Sequence, residues 1–194
     1  MAGFPLFVSK TTTIGGGTSG SLVINNSAAT PIFNGLVTLA NGASWNNSGS
    51  STVTFKNGLT ISGTGNFNAG TGIHTFDTND QATTGTLAIP SVTVNGVTLT
   101  NNNVLTISTA LTGTGNLVQA TGATLNLGFS GPSDINTLDA ATNLNGVNYN
   151  MAGAQIVYPT TYQNLILSSS SVKSFIIEET INGCLLYTSP SPRD

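Results

Sequence analysis

The sequence predicts an all-β, single-domain β-solenoid, expected as a right-handed parallel β-helix. Three observations lead there: short alternating segments, Asn-Gly dipeptides between them, and echoes of the same segments further along the chain. Apolar residues alternate with Thr, Ser and Asn in "SLVI", "LVTL", "STVTF", "LTI", "SVTV", "VTLT", "VLTI", "TLNL" and "NLIL". A period of two is the signature of a half-buried strand, and Val, Ile and Thr favour that state. Asn34-Gly35, Asn41-Gly42, Asn57-Gly58, Asn95-Gly96, Asn145-Gly146 and Asn182-Gly183 punctuate these segments. Asn and Gly tolerate positive φ, so each pair marks a tight turn. The single weak helix candidate, "DINTLDAA" at 134–141, reads as a loop or short turn.

The echoes separate a solenoid from a sandwich. "GTGNFNAGTG" begins at Gly63 and "GTGNLVQATG" at Gly113, while "VNGV" at Val94 returns as "LNGV" at Leu144. An offset of about 50 residues suits two coils of roughly 20–25 residues each. A looser motif occurs three times, as "FNGLVTL" at 33–39, "VNGVTL" at 94–99 and "YQNLIL" at 162–167. An antiparallel sandwich with Asn-Gly hairpins would also use short strands, but the repeated echo favours stacked coils. In such a stack inward positions are apolar, corners take Gly and Asn, and outward positions take Thr and Ser. Roughly eight coils about 4.8 Å apart give a rod on the order of 35–40 Å long.

Composition agrees with this and excludes several activities. Half of the 194 residues are Gly, Ser, Thr or Asn, yet 38% are hydrophobic and the net charge is only −3. Disordered chains combine low hydrophobicity with high net charge. The cations are Lys10, Lys56, Lys173 and Arg193, too scattered to form the basic patch that phosphate binding requires, so no nucleic-acid partner is expected. No run of about 20 apolar residues is present to span a membrane as a helix. "MAGFPLFVSK" has neither the charged start nor the apolar run of a signal peptide, so the chain is either cytosolic or begins before this Met.

From "VLTISTALTGTGNLVQATGATLNLG" through "NLNGVNYNMAGAQIVYPTTYQNLILSSSSVKSFIIEETING" the chain resembles the β-strand-repeat proteins of bacterial surfaces. The matching residues are Tyr162, Asn164, Leu165, Leu167, Ser168, Lys173, Asn182 and Gly183. The segment "LTISGTGNFNAGTG" matches more loosely, and the resemblance covers most of 34–183. It implies a large secreted or cell-surface, adhesin-like protein built as a parallel β-helix. Possible partners on that reading are surface glycans, host or matrix proteins, and neighbouring repeats of the same chain. The absence of Cys before residue 184 fits a secreted repeat protein held by hydrogen bonds rather than disulfides.

The last eleven residues, "CLLYTSPSPRD" at 184–194, depart from this composition. They resemble an in-frame translation of a transposase-type sequencing adapter along their whole length. Residues 1–183 are therefore read as a β-helix repeat segment of a larger protein and 184–194 as a non-native tail, which takes Cys184 out of any redox argument. The pattern "INGCLLYT" still allows Leu185 to Tyr187 to form one more strand, ended by Pro190 and Pro192.

Each chemistry-bearing group has a structural reading. "GGGTSG", from Gly15, precedes the strand-like "SLVI", whereas a phosphate loop needs a following helix, so it reads as a solenoid turn. "DTND", from Asp77 to Asp80, reads as an exposed loop between coils, with an opportunistic calcium site as the alternative. His74, the only His, reads as an outward strand position. Glu178 and Glu179 are expected to face solvent, and Asp134 and Asp139 to flank a loop. No catalytic, cofactor-binding or metal residue is assigned, no cofactor is expected, and the segment is read as non-enzymatic. The alternatives are a β-helix module that binds or degrades polysaccharides, with carboxylate pairs, and an ice-binding solenoid. The pairs Thr52/Thr54 and Thr98/Thr100 suggest the latter but do not recur at one coil period.

Overall fold

The computed structural model describes residues 5–16, 19–141 and 144–188. Among them there is no helix, and the strands stack in parallel as a β-solenoid of about eight turns. As far as Thr124–Leu127, every third strand falls on the same face. Face 1 stacks Phe7–Val8, Ile32–Phe33, Val53–Phe55, Ile73–Asp77, Ser91–Asn95 and Ala110–Thr112. Face 2 stacks Thr12–Ile14, Val37–Leu39, Leu59–Ile61, Gln81–Thr84, Thr98–Asn101, Asn116–Gln119 and Thr137–Asp139. Face 3 has two segments, Gly20–Val23 to Asn66–Asn68 and then Thr86–Ala88 to Leu185–Tyr187. Faces 1 and 2 continue past the parallel bridges Thr112–Asp134 and Ala140–Tyr162 into Gln155–Ile156 with Lys173–Ser174, and Thr161–Tyr162 with Thr180–Ile181.

The step between turns varies. Phe7 pairs with Ile32, 25 residues on, whereas Ile73 pairs with Ser91, 18 residues on. This corrects the reading of the 50-residue echo as a two-coil period. Gly63 lies at the corner between faces 2 and 3, and Gly113 at the corner between faces 1 and 2. Asn95-Gly96 and Asn145-Gly146 likewise sit at different corners. The echo records a kind of corner rather than a phase, because all three corners require the same local turn chemistry. In the looser motif two copies do share a corner: Phe33 and Val94 stand in one column, linked through Phe55 and Phe76.

All six Asn-Gly pairs lie at corners, as expected. Gly42, Gly58 and Gly96 adopt positive φ, whereas Gly35 is required by close approach, since a Cβ there would collide with the backbone of Lys10 and Thr11. Residues 134–141 depart from the expected loop. Thr137–Asp139 is a face 2 strand, with Leu138 paired to Leu117 and turned into the core. Its inward Leu138 and Ala140 keep the period of two, which the surrounding Asp and Asn disguise.

The core runs up the axis as in-register columns. In the wider early turns it is aromatic: Phe33 stacks on Phe55 at 5.8 Å and Phe55 on Phe76 at 5.5 Å. Trp45 fills the space across from them, 5.5 Å from Phe33, 5.9 Å from Phe55 and 5.6 Å from Phe67. In the tighter later turns aliphatic columns suffice, such as Leu87, Leu105, Leu125, Val147 and Leu165 on face 3. The rings of Phe33, Phe55, Phe76 and Trp45 fill the early cross-section, while Phe129, Tyr149 and Tyr162 add rings among the aliphatic columns of the later turns.

Purified protein is expected to give a β-type circular dichroism spectrum; a mainly helical or random-coil spectrum would refute the fold. Phe55→Ala removes the ring that touches Phe33, Trp45, His74 and Phe76. It should cost about 3–5 kcal/mol in urea unfolding, against about 0.5 kcal/mol or less for the outward Thr75→Ala.

Candidate functional site

The corners between turns hold most of the buried polar chemistry, and side-chain amides organise it. Gln81, buried at the corner between faces 1 and 2, accepts from Gly58 N–H at 2.8 Å. Its Nε2 donates to the carbonyls of Phe55, Asp77 and Asn79. Asn47 does the same at the corner between faces 3 and 1, accepting from Ser51 N–H and donating to the carbonyls of Ser51 and Ala69. Gln155 repeats the device, donating to the carbonyls of Leu127 and Phe129 and accepting from Met151 N–H and Lys173 Nζ. Asn101 donates to Gln119 Oε1 at 2.8 Å and to the Thr124 carbonyl. Each amide bonds backbone groups at a corner or at the strand ends that flank it. Sequence reading missed these residues; the available signal was their inward parity at strand ends.

"DTND" lies at a corner, largely exposed, as expected. Its carboxylates bind neighbouring turns. Lys56 Nζ, one turn earlier, is 3.0 Å from Asp77 Oδ1 and donates to Thr78 Oγ1 at 2.9 Å. Asp80 Oδ1 accepts from Thr98 N–H, one turn later, at 2.7 Å. Among the described residues no three of His, Cys, Asp and Glu gather in a metal-binding group. "GGGTSG" leads from Thr12–Ile14 directly into the strand Gly20–Val23, which makes it a corner; its Gly17 and Thr18 lie outside the described residues.

His74 corrects its expected outward placement. It is fully buried, paired with Val53 below and Val92 above. Its ring stacks on Phe55 at 6.1 Å and meets the edge of Phe67 at 6.2 Å. The reason is parity: Phe76 must face the core, so His74, two residues earlier, faces it too. Nδ1 donates to the Gly72 carbonyl at 3.0 Å, while Nε2 is buried without a hydrogen-bond partner. Burial disfavours the imidazolium and lowers the pKa from 6.5 to about 4, partly opposed by the Gly72 contact.

Glu179 also turns inward, contrary to expectation, while Glu178 stays exposed. Glu179 Oε2 accepts from Thr160 N–H at 2.8 Å, and burial raises its pKa. Nearby, a hydroxyl relay closes on itself. Tyr158 N–H donates to Tyr149 Oη, Tyr149 Oη meets Tyr162 Oη at 2.9 Å, and Tyr162 O–H donates to the Tyr158 carbonyl. Burial pushes Tyr149 up to about 12 and Tyr162 further upward. Asp134 is exposed, and Asp139 accepts from Ala141 N–H.

The residues that carry the surface-protein resemblance prove to be bonds between turns. Tyr162 belongs to the relay, and Leu165 and Leu167 face the core. Asn164 donates to the Asn145 carbonyl and accepts from Cys184 N–H, so it spans three turns. Ser168 donates to Asn148 Oδ1, Lys173 donates to Met151 O and Gln155 Oε1, and Asn182 N–H donates to Tyr162 O. A Cβ on Gly183 would lie 2.5 Å from the Gln163 carbonyl oxygen. Leu185–Tyr187 forms the expected extra strand against Asn164–Leu167, with all three side chains exposed. Cys184 is an exposed free thiol, and Pro190 and Pro192 lie outside the described residues.

Outward side chains form uncharged ladders. Thr54, Thr75, Thr93 and Thr112 succeed one another on face 1, the last two joined Oγ1 to Oγ1 at 3.0 Å. Thr13, Thr38, Thr60 and Thr84 do so on face 2. On face 3 Asn126 donates to Thr106 and Asn148 donates to Asn126. The TxT pairs do not recur at the coil period, as expected. Two residues before Thr75, Thr93 and Thr112 stand Ile73, Ser91 and Ala110, but the single Thr columns do recur.

No protein-family model, curated protein or solved structure matches this chain.

Two outcomes test the site chemistry. Gln81→Ala strands the Gly58 N–H and three carbonyls, and should cost about 1–3 kcal/mol in urea unfolding. His74 binds its proton near pH 6.5 when unfolded but near 4 when folded. Its contribution to stability is thus complete above pH 6.5, falls as the pH drops from 6.5 to 4, and is lost below that. The total is roughly 3 kcal/mol. Comparing urea midpoints of wild type and His74→Leu across this range isolates the effect, since the variant should lack that part of the acid slope.

Proposed function

We propose that this chain is a structural and adhesive repeat segment of a bacterial secreted or cell-surface protein, performing no catalysis itself. One observation carries the reading. Five charged side chains, Lys56, Asp77, Asp80, Lys173 and Glu179, are engaged in bonds between turns. What is presented outward is a set of neutral hydroxyl and amide ladders on a stiff rod. Such a surface suits many weak hydrogen bonds to a long ligand, and surface glycans or host and matrix proteins are the partners it fits. The motif residues Tyr162, Asn164, Ser168 and Lys173 support the same reading, because each performs the coil-joining role a repeat protein needs.

Incubation with acidic and neutral polysaccharides, with and without calcium, tests this. Glycan or matrix-protein binding without turnover is the expected result. Turnover abolished by Asp77→Ala with Asp80→Ala would overturn the non-catalytic reading.

The recurring Thr columns favour a second reading, a solenoid that orders water at an ice surface. It predicts thermal hysteresis that Thr75→Lys with Thr93→Lys abolishes; freezing behaviour equal to buffer would leave the adhesive reading in place.

A further inference from the structure

The six Asn-Gly corners share a dipeptide but not an environment. Glycine has no Cβ to hinder its nitrogen. In an Asn-Gly pair that nitrogen can therefore reach the Asn carboxamide carbon, unless the fold holds one of the two groups. At Asn57-Gly58 the buried Gly58 donates its N–H to Gln81 Oε1 at 2.8 Å. At Asn145-Gly146 the Gly146 N–H donates to the Ala123 carbonyl at 2.9 Å, and the buried Asn145 donates from Nδ2 to the Gln119 carbonyl. Asn41 Oδ1 accepts from both Thr64 N–H and Thr64 Oγ1, which fixes that carboxamide against the next turn. Gly35 and Gly183 are packed against the turn before them, where a Cβ would come within 2.4 Å and 2.5 Å of backbone atoms.

Asn95-Gly96 is held by none of these. Both residues are exposed, and Gly96, at a φ of 67°, has nothing within 4 Å of where a Cβ would stand. Among the described residues neither the Gly96 N–H nor the Asn95 carboxamide makes a hydrogen bond. Asn95 Oδ1 lies over Gly113, which has no side chain to clamp it.

We propose that Asn95-Gly96 is a self-modification site, where the folded chain converts Asn95 to aspartate and isoaspartate with water as the only co-reactant. The Gly96 nitrogen gives up its proton to solvent and bonds to Asn95 Cγ. The Cγ–Nδ2 bond breaks, and ammonia leaves with a proton taken from solvent. Water then opens the cyclic imide at either carbonyl. One amide and one water become one carboxylate and one ammonium ion, with no change of oxidation state. The new charge falls beside Asp77, which pairs with Asn95 in the ladder and is held by Lys56 Nζ at 3.0 Å. Like charges paired across a ladder repel, so the conversion loosens this corner and adds charge to a neutral outer face. It does not depend on the adhesive reading.

Peptide mass mapping of the full chain during incubation in mildly alkaline buffer tests this, with the urea-unfolded chain as reference. Unfolded, the six pairs should convert at similar rates, because each is the same dipeptide. Folded, Asn95 should stay near its unfolded rate, whereas Asn57 and Asn145 should slow by about 5-fold or more, since a hydrogen bond must open first. Gln81→Ala frees the Gly58 N–H and should speed conversion at Asn57 while leaving Asn95 unchanged. If that variant loses the β-type circular dichroism spectrum, the wild-type comparison of Asn95 with Asn57 and Asn145 decides alone. Conversion at Asn95 no faster than at Asn57 and Asn145 in the folded chain would overturn the proposal. So would a folded rate at Asn95 far below the unfolded one, or an Asn57 rate that a folded Gln81→Ala variant does not move.

Discussion

Each turn of this chain satisfies its backbone only through the turns before and after it. The strands are two to five residues long, too short to be stable as hairpins, and they pair with partners 18–25 residues away. The parallel ladder between turns is therefore the constraint from which the rest follows. It fixes which residues face inward, because a slip of one position would expose every core column at once. It also confines length variation to the corners, where extra residues do not interrupt pairing.

Corners are consequently where the structure is most exacting. A strand passes its N–H and C=O groups to its neighbours, but a bend leaves some of them without a ladder partner. Asn47, Gln81, Asn101 and Gln155 turn their amides inward there, bonding backbone at the corners and at the strand ends beside them. Glycine serves where the chain passes too close for a side chain: at Gly113, with φ of 119°, a Cβ would collide with the Val94 carbonyl. These are structural uses of residues that in another fold would suggest a binding site.

The architecture was legible because alternation and Asn-Gly punctuation are local signals. Asn34-Gly35 and Asn57-Gly58 mark tight turns, as read, and the fold places them at the same corner one turn apart. What was not legible depended on contacts between turns. Echoes at Gly63 and Gly113 looked like a period because identical turn chemistry serves different corners. Polarity alone points His74 outward, but parity with Phe76 turns it in, and its aromatic surroundings come from other strands. Thr137–Asp139 was hidden by flanking Asp and Asn. The Thr columns could not be seen until the variable turn lengths were known, since Thr54, Thr75, Thr93 and Thr112 are unequally spaced.

The proposed reading looks to the outer faces, and those faces rest on the pairing register. Backbone nuclear Overhauser contacts of Thr75 test that register most directly. The account predicts cross-strand contacts from Thr75 to Thr54 on one side and to Thr93 on the other, in parallel geometry. Contacts from Ile73–Asp77 to the next strand in sequence, Gln81–Thr84, in antiparallel hairpin geometry would contradict it.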